Sequence, residues 1–150
     1  MYLVSACLMG RNCKYNGGNN RCSAVLTFLE GRETLEICPE TAARLPRPRP
    51  PAEYAADGSG KIVDREGCDV TQAFVRGAQA EAARVDDAIR RGHTIEGAIL
   101  KARSPSCGCG VIYDGTFSGG TIAGDGCFTA LMKVRGIKVI SEEEVENDCI

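Results

Sequence analysis

The sequence has no tryptophan and one histidine, His93, so arithmetic excludes a metal centre or catalytic site built on several imidazoles. It has no run of 18 apolar residues, which leaves no candidate for a membrane-spanning helix. An excess of one charge is missing too. Eighteen basic residues face 20 acidic ones, and the net charge of −2 gives no electrostatic reason to bind polymeric nucleic acid. The N-terminal "MYLVSAC" has no basic n-region, so no secretory signal is expected. The expected compartment is therefore the reducing cytoplasm. No C-x-x-C spacing occurs, which removes the usual mark of structural zinc sites and of thiol–disulfide enzymes.

Cysteine itself is plentiful: nine in 150 residues, an odd number. A chain of this length can bury a sizeable core and does not need a disulfide framework. In a reducing compartment its cysteines read as metal ligands, catalytic groups or buried apolar residues. With one histidine, any metal would be held mainly by thiolates.

Strands and helices alternate along the chain. "YLVSAC" (2–7), "TLEIC" (34–38), "IEGAILK" (95–101) and "IKVIS" (137–141) have the short apolar pattern of buried strands. "RCSAVLTFLEG" reads as a helix capped by Ser23 and closed by Gly31. The long helix "DVTQAFVRGAQAEAARVDDAIRRG" is expected to be capped by Asp69 or Thr71. Its core-facing stripe runs through Ala73, Phe74, Gly77, Ala78, Ala82, Val85 and Ile89. "CFTALMKVRG" and "EEEVEND" are short helices, the second capped by Ser141. "LPRPRPPAEY" holds most of the six prolines and reads as a stiff extended connector. "DGSGKIVDREGCD" suggests a small hairpin. "VIYDGTFSGGTIAGDG" is a glycine-rich loop or hairpin with Asp114-Gly115 at its tip. The expectation is an α/β fold: a single doubly wound, Rossmann-like domain over 1–150, with a mostly parallel sheet of about four strands and helices on both faces.

In such sheets ligands gather beyond the carboxyl ends of the strands. Cys7 ends the first strand, Cys38 ends the second, and Cys107 lies in the loop after the third. These three can converge although they are far apart in sequence, and Cys13 can lie nearby. Cys22, Cys68, Cys127 and Cys149 are expected to be ordinary, and Cys109 to point elsewhere than Cys107. Three converging thiolates suit a soft metal centre. From spacing alone four readings stand: an iron–sulfur cluster, a three-thiolate zinc site, redox thiols, or packing without a site.

"SACLMGRNCKYNG", "CPE", "LPRPRPPAE", "REGCDVTQAF", "LKARSPSCG" and "YDGTF" occur in this order over nearly the whole chain. Together they resemble the small bacterial family that includes the thiouracil desulfurases. The resemblance implies a 4Fe–4S cluster held by Cys7, Cys38 and Cys107, with one open iron. It implies removal of sulfur from a thiolated pyrimidine without net redox change. The family's acidic residue matches Glu40, and its serines match Ser104 and Ser106. One departure is "TAARLPRPRP", where Ala43 and Arg44 stand in place of a glycine pair and can reshape the pocket.

The implied chemistry is simple. A thiocarbonyl sulfur is a soft donor for the open iron, a Lewis acid that polarises the carbon for attack by water. Glu40 is the expected base. Ser104 or Ser106, with N–H groups of the 107–110 turn, is expected to hold the pyrimidine edge or the cluster sulfurs. The sulfide stays on the iron and water supplies the carbonyl oxygen. Lys101 can offset cluster charge.

Each residue also has a plainer role. Glu40 can serve the helix dipole, and Ser104 can form a turn. Lys101 can make a structural ion pair. Asn16 and Asn19 are expected turn formers, and His93 is expected to be exposed. Arg47 and Arg49 suit a solvated loop or a phosphate. Tyr113 and Phe117 suit a hairpin or a stacking face. The expected partner is a small thiolated base, with no membrane and no polymeric nucleic acid, and the chain is expected to be a monomer or homodimer. The rival functions are a sulfide or persulfide carrier, a zinc-stabilised structural protein and a thiol–disulfide enzyme.

Overall fold

Short apolar runs build the central sheet of the computed structural model, which describes residues 1–148. Cys149 lies outside the described residues. In chain order, β1 (Tyr2–Ser5) passes through a 3-10 turn (Ala6–Met9) and a loop to α1 (Ser23–Leu29) and β2 (Thr34–Ile37). Next come α2 (Pro39–Ala42), β3 (Ala52–Tyr54), β4 (Ile62–Asp64) and the long α3 (Thr71–Arg90). β5 (Gly97–Leu100), β6 (Val111–Tyr113), β7 (Thr121–Ala123), α4 (Cys127–Val134), β8 (Val139–Ser141) and α5 (Glu142–Glu146) complete the described chain.

The main sheet has the order β2-β1-β5-β8, and every pair in it is parallel. Successive residues of each strand alternate between two cores. Leu3, Ala98, Leu100 and Val139 face α3 and α4, where they meet Ala78, Ala82, Val85, Phe128 and Met132. Val4, Ile99 and Ile140 face α1 and α5, with Val25, Leu29 and Val145. Helices therefore cover both faces, as the alternating pattern predicts. From β1 the chain winds outward to β2, then returns past β1 to β5. The switch in winding falls between β1 and β5, and that is where a doubly wound sheet opens a crevice. No helix among the described residues is long and apolar enough to cross a membrane.

Several local expectations need correction. Ser23 does not cap α1. Cys22 is the N-cap, held extended at φ −123° and ψ 110°, because its N–H is tied back to the Leu8 carbonyl at 3.0 Å. Val70 is the N-cap of α3, while Asp69 accepts from the Thr71 N–H (2.9 Å) and hydroxyl (2.6 Å) just before it. Ile89, expected in the core, is 45% exposed. A 20-residue helix runs about 30 Å and overhangs strands of four residues, so its last turn finds no sheet to cover. Glu81 lies on the buried face instead, with its charge satisfied by partners described below.

Two antiparallel hairpins stand outside the main sheet: β3–β4, whose first strand is the Ala52–Tyr54 end of the stretch expected as a connector, and β6–β7. The second turns through a seven-residue loop rather than at Asp114-Gly115, with Asp114 N–H bonded to the Gly120 carbonyl at 3.0 Å. The Ser141 capping box of α5 is present, and Glu144 accepts the Ser141 N–H at 2.7 Å. Helix α2 had no signal in the pattern. It is held against α3 at Gly77, where a Cβ would fall 1.9 Å from the Pro39 carbonyl oxygen. Only glycine permits that approach, and it brings the start of α2, with Cys38 and Glu40, to the sheet edge.

Candidate functional site

The carboxyl ends of β1, β2 and β5 deliver the three cysteines expected there. Cys7 and Cys38 sit just beyond their strands rather than on the last residue, and Cys107 lies in the loop after β5 as expected. Cys7 lies in the 3-10 turn after β1, Cys38 is the N-cap of α2 after β2, and Cys107 follows β5 by a short loop. All three line one cavity of about 500 Å³. Cys13, Glu40, Lys101, Ser104 and Ser106 line it too, as do Asn20, Arg49, Glu53, Arg65, Tyr113 and Phe117.

Each thiol is fixed by its backbone. The Cys7 carbonyl accepts the Asn20 N–H at 3.0 Å. The Cys38 N–H donates to Glu81 of α3 at 2.9 Å, and the Thr41 hydroxyl donates to the Cys38 sulfur at 3.1 Å. Glu81 is 4% exposed and also accepts from Arg84 at 3.0 Å. The Cys107 N–H donates to Ser104 Oγ at 2.8 Å, and its carbonyl accepts the Thr129 hydroxyl of α4 at 2.8 Å. Ser104 thus does the work of a turn former. The Ser5 hydroxyl oxygen accepts the Lys101 N–H at 2.9 Å and locks β1 to β5 where the crevice opens.

The thiols differ electrostatically. Cys38 is lowered to about 6, chiefly by hydrogen bonding with the Cys13 thiol and further by Thr41, against the opposing effect of burial. Cys7 is lowered by the same Cys13 thiol and by Asn20. Cys13 is pushed upward by those contacts, so it stays protonated as the donor shared by the other two. Burial pushes Cys107 upward, opposed by Ser5 and Ser106. Cys7 and Cys38 act on Cys107 through their charge, whereas Cys13 acts on the first two by hydrogen bonding. Among the described residues, no three His, Cys, Asp or Glu side chains close on one ion.

Beside the thiols lies a carboxylate with both oxygens held. Glu40 Oε1 accepts from Arg49 Nη2 at 2.7 Å, and Glu40 Oε2 accepts from the Ser106 hydroxyl at 3.2 Å. Ser106 is 2% exposed and lies 3.4 Å from the Ser104 hydroxyl. The Arg49 side chain is 8% exposed, so this is a largely desolvated pair and not a solvated loop charge. Arg47 instead donates to the Asn12 carbonyl at 3.0 Å. Lys101 pairs with Glu142 at 2.7 Å, and Glu142 also accepts the Ala102 N–H at 2.8 Å. Even so paired, Lys101 is near enough to lower Cys7.

The other singled-out residues fall as follows. Asn16 and Asn19 form turns, accepting the Gly18 and Arg21 N–H groups at 2.9 and 3.0 Å. His93 is half-exposed and faces Glu33 at 3.3 Å. Cys68 is exposed and Cys22 packs against the α1 core. The Cys109 thiol donates to the Val139 carbonyl at 3.3 Å and the Cys127 thiol to the Phe74 carbonyl at 3.6 Å, both away from the cavity. Arg44, one of the pair standing where glycines are usual, holds a left-handed φ of 59° just after α2. Sequence reading missed Asn20, Glu53, Arg65, Glu81 and the burial of Arg49. Only Glu81 carried a signal, a charge set within the apolar stripe of α3.

The arrangement therefore offers thiolate donors, a fixed carboxylate and two hydroxyls in one crevice. A sequence model of the 2-thiouracil desulfurase family matches residues 2–144. The uncharacterized protein YbbK of Bacillus subtilis (strain 168) is 38% identical over 154 residues, covering 98% of this chain and 99% of its own. The solved structure of the [4Fe-4S]-dependent thiouracil desulfidase TudS is 42% identical, with a TM-score of 0.80 over 97% of this chain and 93% of that one.

Proposed function

The chain belongs to the 2-thiouracil desulfurase family, and on that premise we propose that it converts a thiolated pyrimidine of the 2-thiouracil kind and water into the carbonyl compound and sulfide, with no net redox change. The cofactor in this reading is a [4Fe–4S] cluster held by Cys7, Cys38 and Cys107. The dependence of TudS on such a cluster supports it, and so does the donor set. Three thiols from three strand ends line one cavity, and among the described residues no three ligand side chains close on a single ion. That suits ligands shared around four irons better than ligands drawn onto one ion. When bound, the cluster supplies a Lewis-acidic iron without a protein ligand, soft enough for a thiocarbonyl sulfur.

The protein's own groups do the rest. Arg49 and Ser106 hold the Glu40 carboxylate by opposite oxygens. Each carboxylate oxygen keeps a further lone pair free to accept a proton. Water adds through oxygen to the thiocarbonyl carbon, and its proton passes to Glu40. The second water proton then moves to the sulfur, the carbon–oxygen double bond forms as the carbon–sulfur bond breaks, and sulfur leaves with the electron pair as hydrosulfide. Ser104 fixes the Cys107 turn through its 2.8 Å bond and stands beside Ser106, where its hydroxyl can meet the pyrimidine edge. Cys13 donates to Cys7 and Cys38 and is not itself a ligand in this reading.

All the described cysteines are free, which supports action in the reducing cytoplasm. The substrate is a small molecule, and the working unit is a single domain, as monomer or homodimer.

The observation that carries the proposal is the meeting of Cys7, Cys38 and Cys107 with the Arg49–Glu40–Ser106 chain in one cavity. The test is anaerobic turnover of 2-thiouracil in 18O-labelled water with no electron donor or acceptor. Uracil and sulfide should appear one to one, with one labelled oxygen in each uracil. Unlabelled uracil, or turnover only with a reductant, would refute hydrolytic desulfuration. Sulfide that stays on the protein after one turnover would favour a carrier.

A further inference from the structure

Part of the cavity wall is made by the two hairpins. The carboxylate of Glu53 on β3 is buried at 8% exposure and accepts two N–H groups from the loop of the other hairpin, Gly115 at 3.0 Å and Phe117 at 3.2 Å. Gly115 lies so close to β3 that a Cβ would fall 2.3 Å from the Tyr54 carbonyl oxygen, and its φ is +91°. Between these anchors Phe117 is held at φ 55°, in the left-handed region that a bulky side chain rarely occupies. Strain of this kind persists only where surroundings impose it, and it collects at ligand-binding positions. The Phe117 ring lines the cavity half-buried. The Arg65 guanidinium lies over the ring, 5.5 Å from the centroid, and lines the same cavity. Tyr113 and Tyr15 also line the cavity, but neither carries the backbone strain of Phe117, and Tyr15 is 37% exposed with Lys14 5.6 Å from its ring.

We propose that Phe117 is the stacking platform that binds and orients the planar ring of the substrate. Glu53 is the positioning residue that holds Phe117 in its left-handed pose. The inference rests on the thiolated-pyrimidine reading above. Stacking acts on the flat ring in substrate and product alike, so its loss shows chiefly in binding.

The test uses the cluster-loaded protein, with steady-state kinetics on 2-thiouracil and calorimetric titration with uracil. Phe117→Gly removes the ring and relieves the positive φ, so it does not fail through backbone strain. It should raise KM and the uracil Kd about tenfold or more, with a smaller fall in kcat per cluster, and Phe117→Tyr should restore both. Glu53→Ala should reproduce the rise in KM, and Glu53→Gln, which keeps a carbonyl acceptor, should reverse it. Wild-type KM and Kd in Phe117→Gly would overturn the inference. Failure of the wild type to bind uracil and to turn over 2-thiouracil would overturn the reading beneath it, and shows before any variant is made.

Discussion

Replacing Cys7, Cys38 or Cys107 singly by serine should empty the centre. After anaerobic reconstitution each variant should hold far fewer than the about four irons per chain of a cubane cluster, lose the broad visible absorption and show no turnover. The reason is donor softness: a serine oxygen is a hard ligand where iron and sulfide favour thiolate. Cys13→Ser is the informative contrast. Cys13 touches Cys7 and Cys38 as a hydrogen-bond donor, and a hydroxyl can donate in its place, so this variant should keep its iron. Metal analysis and the visible spectrum check all four proteins. Full iron in Cys107→Ser together with loss in Cys13→Ser would replace Cys107 by Cys13 in the ligand set. Thermal melts of the cluster-free proteins separate ligand loss from misfolding, because Cys107 is also packed in the core and Cys7 lies against it on the other face.

Glu40→Gln should keep the cluster and lower kcat by about 10²–10⁴-fold, the usual worth of a positioned proton acceptor. The amide can still accept from Arg49 or Ser106, so the α2 turn and the cavity wall are preserved. The plainer role of Glu40 is an acid in the first turn of α2, which is worth about 0.3–1 kcal/mol and acts on stability. The two roles differ in readout. A lost base shows in kcat with little change in melting temperature, whereas a lost helix acid does the reverse. Ser106→Ala should fall between wild type and Glu40→Gln, since it frees one carboxylate oxygen and removes no base. Single-turnover kinetics beside the iron content and the melting curve decides among these outcomes.

The architecture was legible wherever burial wrote a period. The apolar runs at 2–7, 34–38, 95–101 and 137–141 mark all four strands of the main sheet, and the stripe through Phe74, Ala78, Ala82 and Val85 marks α3. Strand ends then place Cys7, Cys38 and Cys107 together without knowledge of distances. What stayed hidden has no period. Helix α2 is one turn that begins with proline, too short for any amphipathic signal. Arg49 sits among prolines and looks solvated. Its burial depends on Glu40, which reaches it only after α2 has packed on Gly77. Glu53 is one acid in a polar stretch, and its task is set by a loop more than sixty residues away. Asn20 lines the cavity because the 3-10 turn after β1 folds the following loop back onto Cys7, whereas Asn19 beside it forms a turn and donates to Asn12.

The most direct measurement is a loading titration. Cluster-free protein is supplied anaerobically with increasing iron and sulfide, and protein-bound iron and the rate of uracil formation from 2-thiouracil are followed on the same samples. The expected result is a rate that rises in proportion to bound iron and levels off at about four irons per chain. Turnover by the iron-free protein, or full loading with no turnover of any thiolated pyrimidine, would contradict cluster-dependent desulfuration.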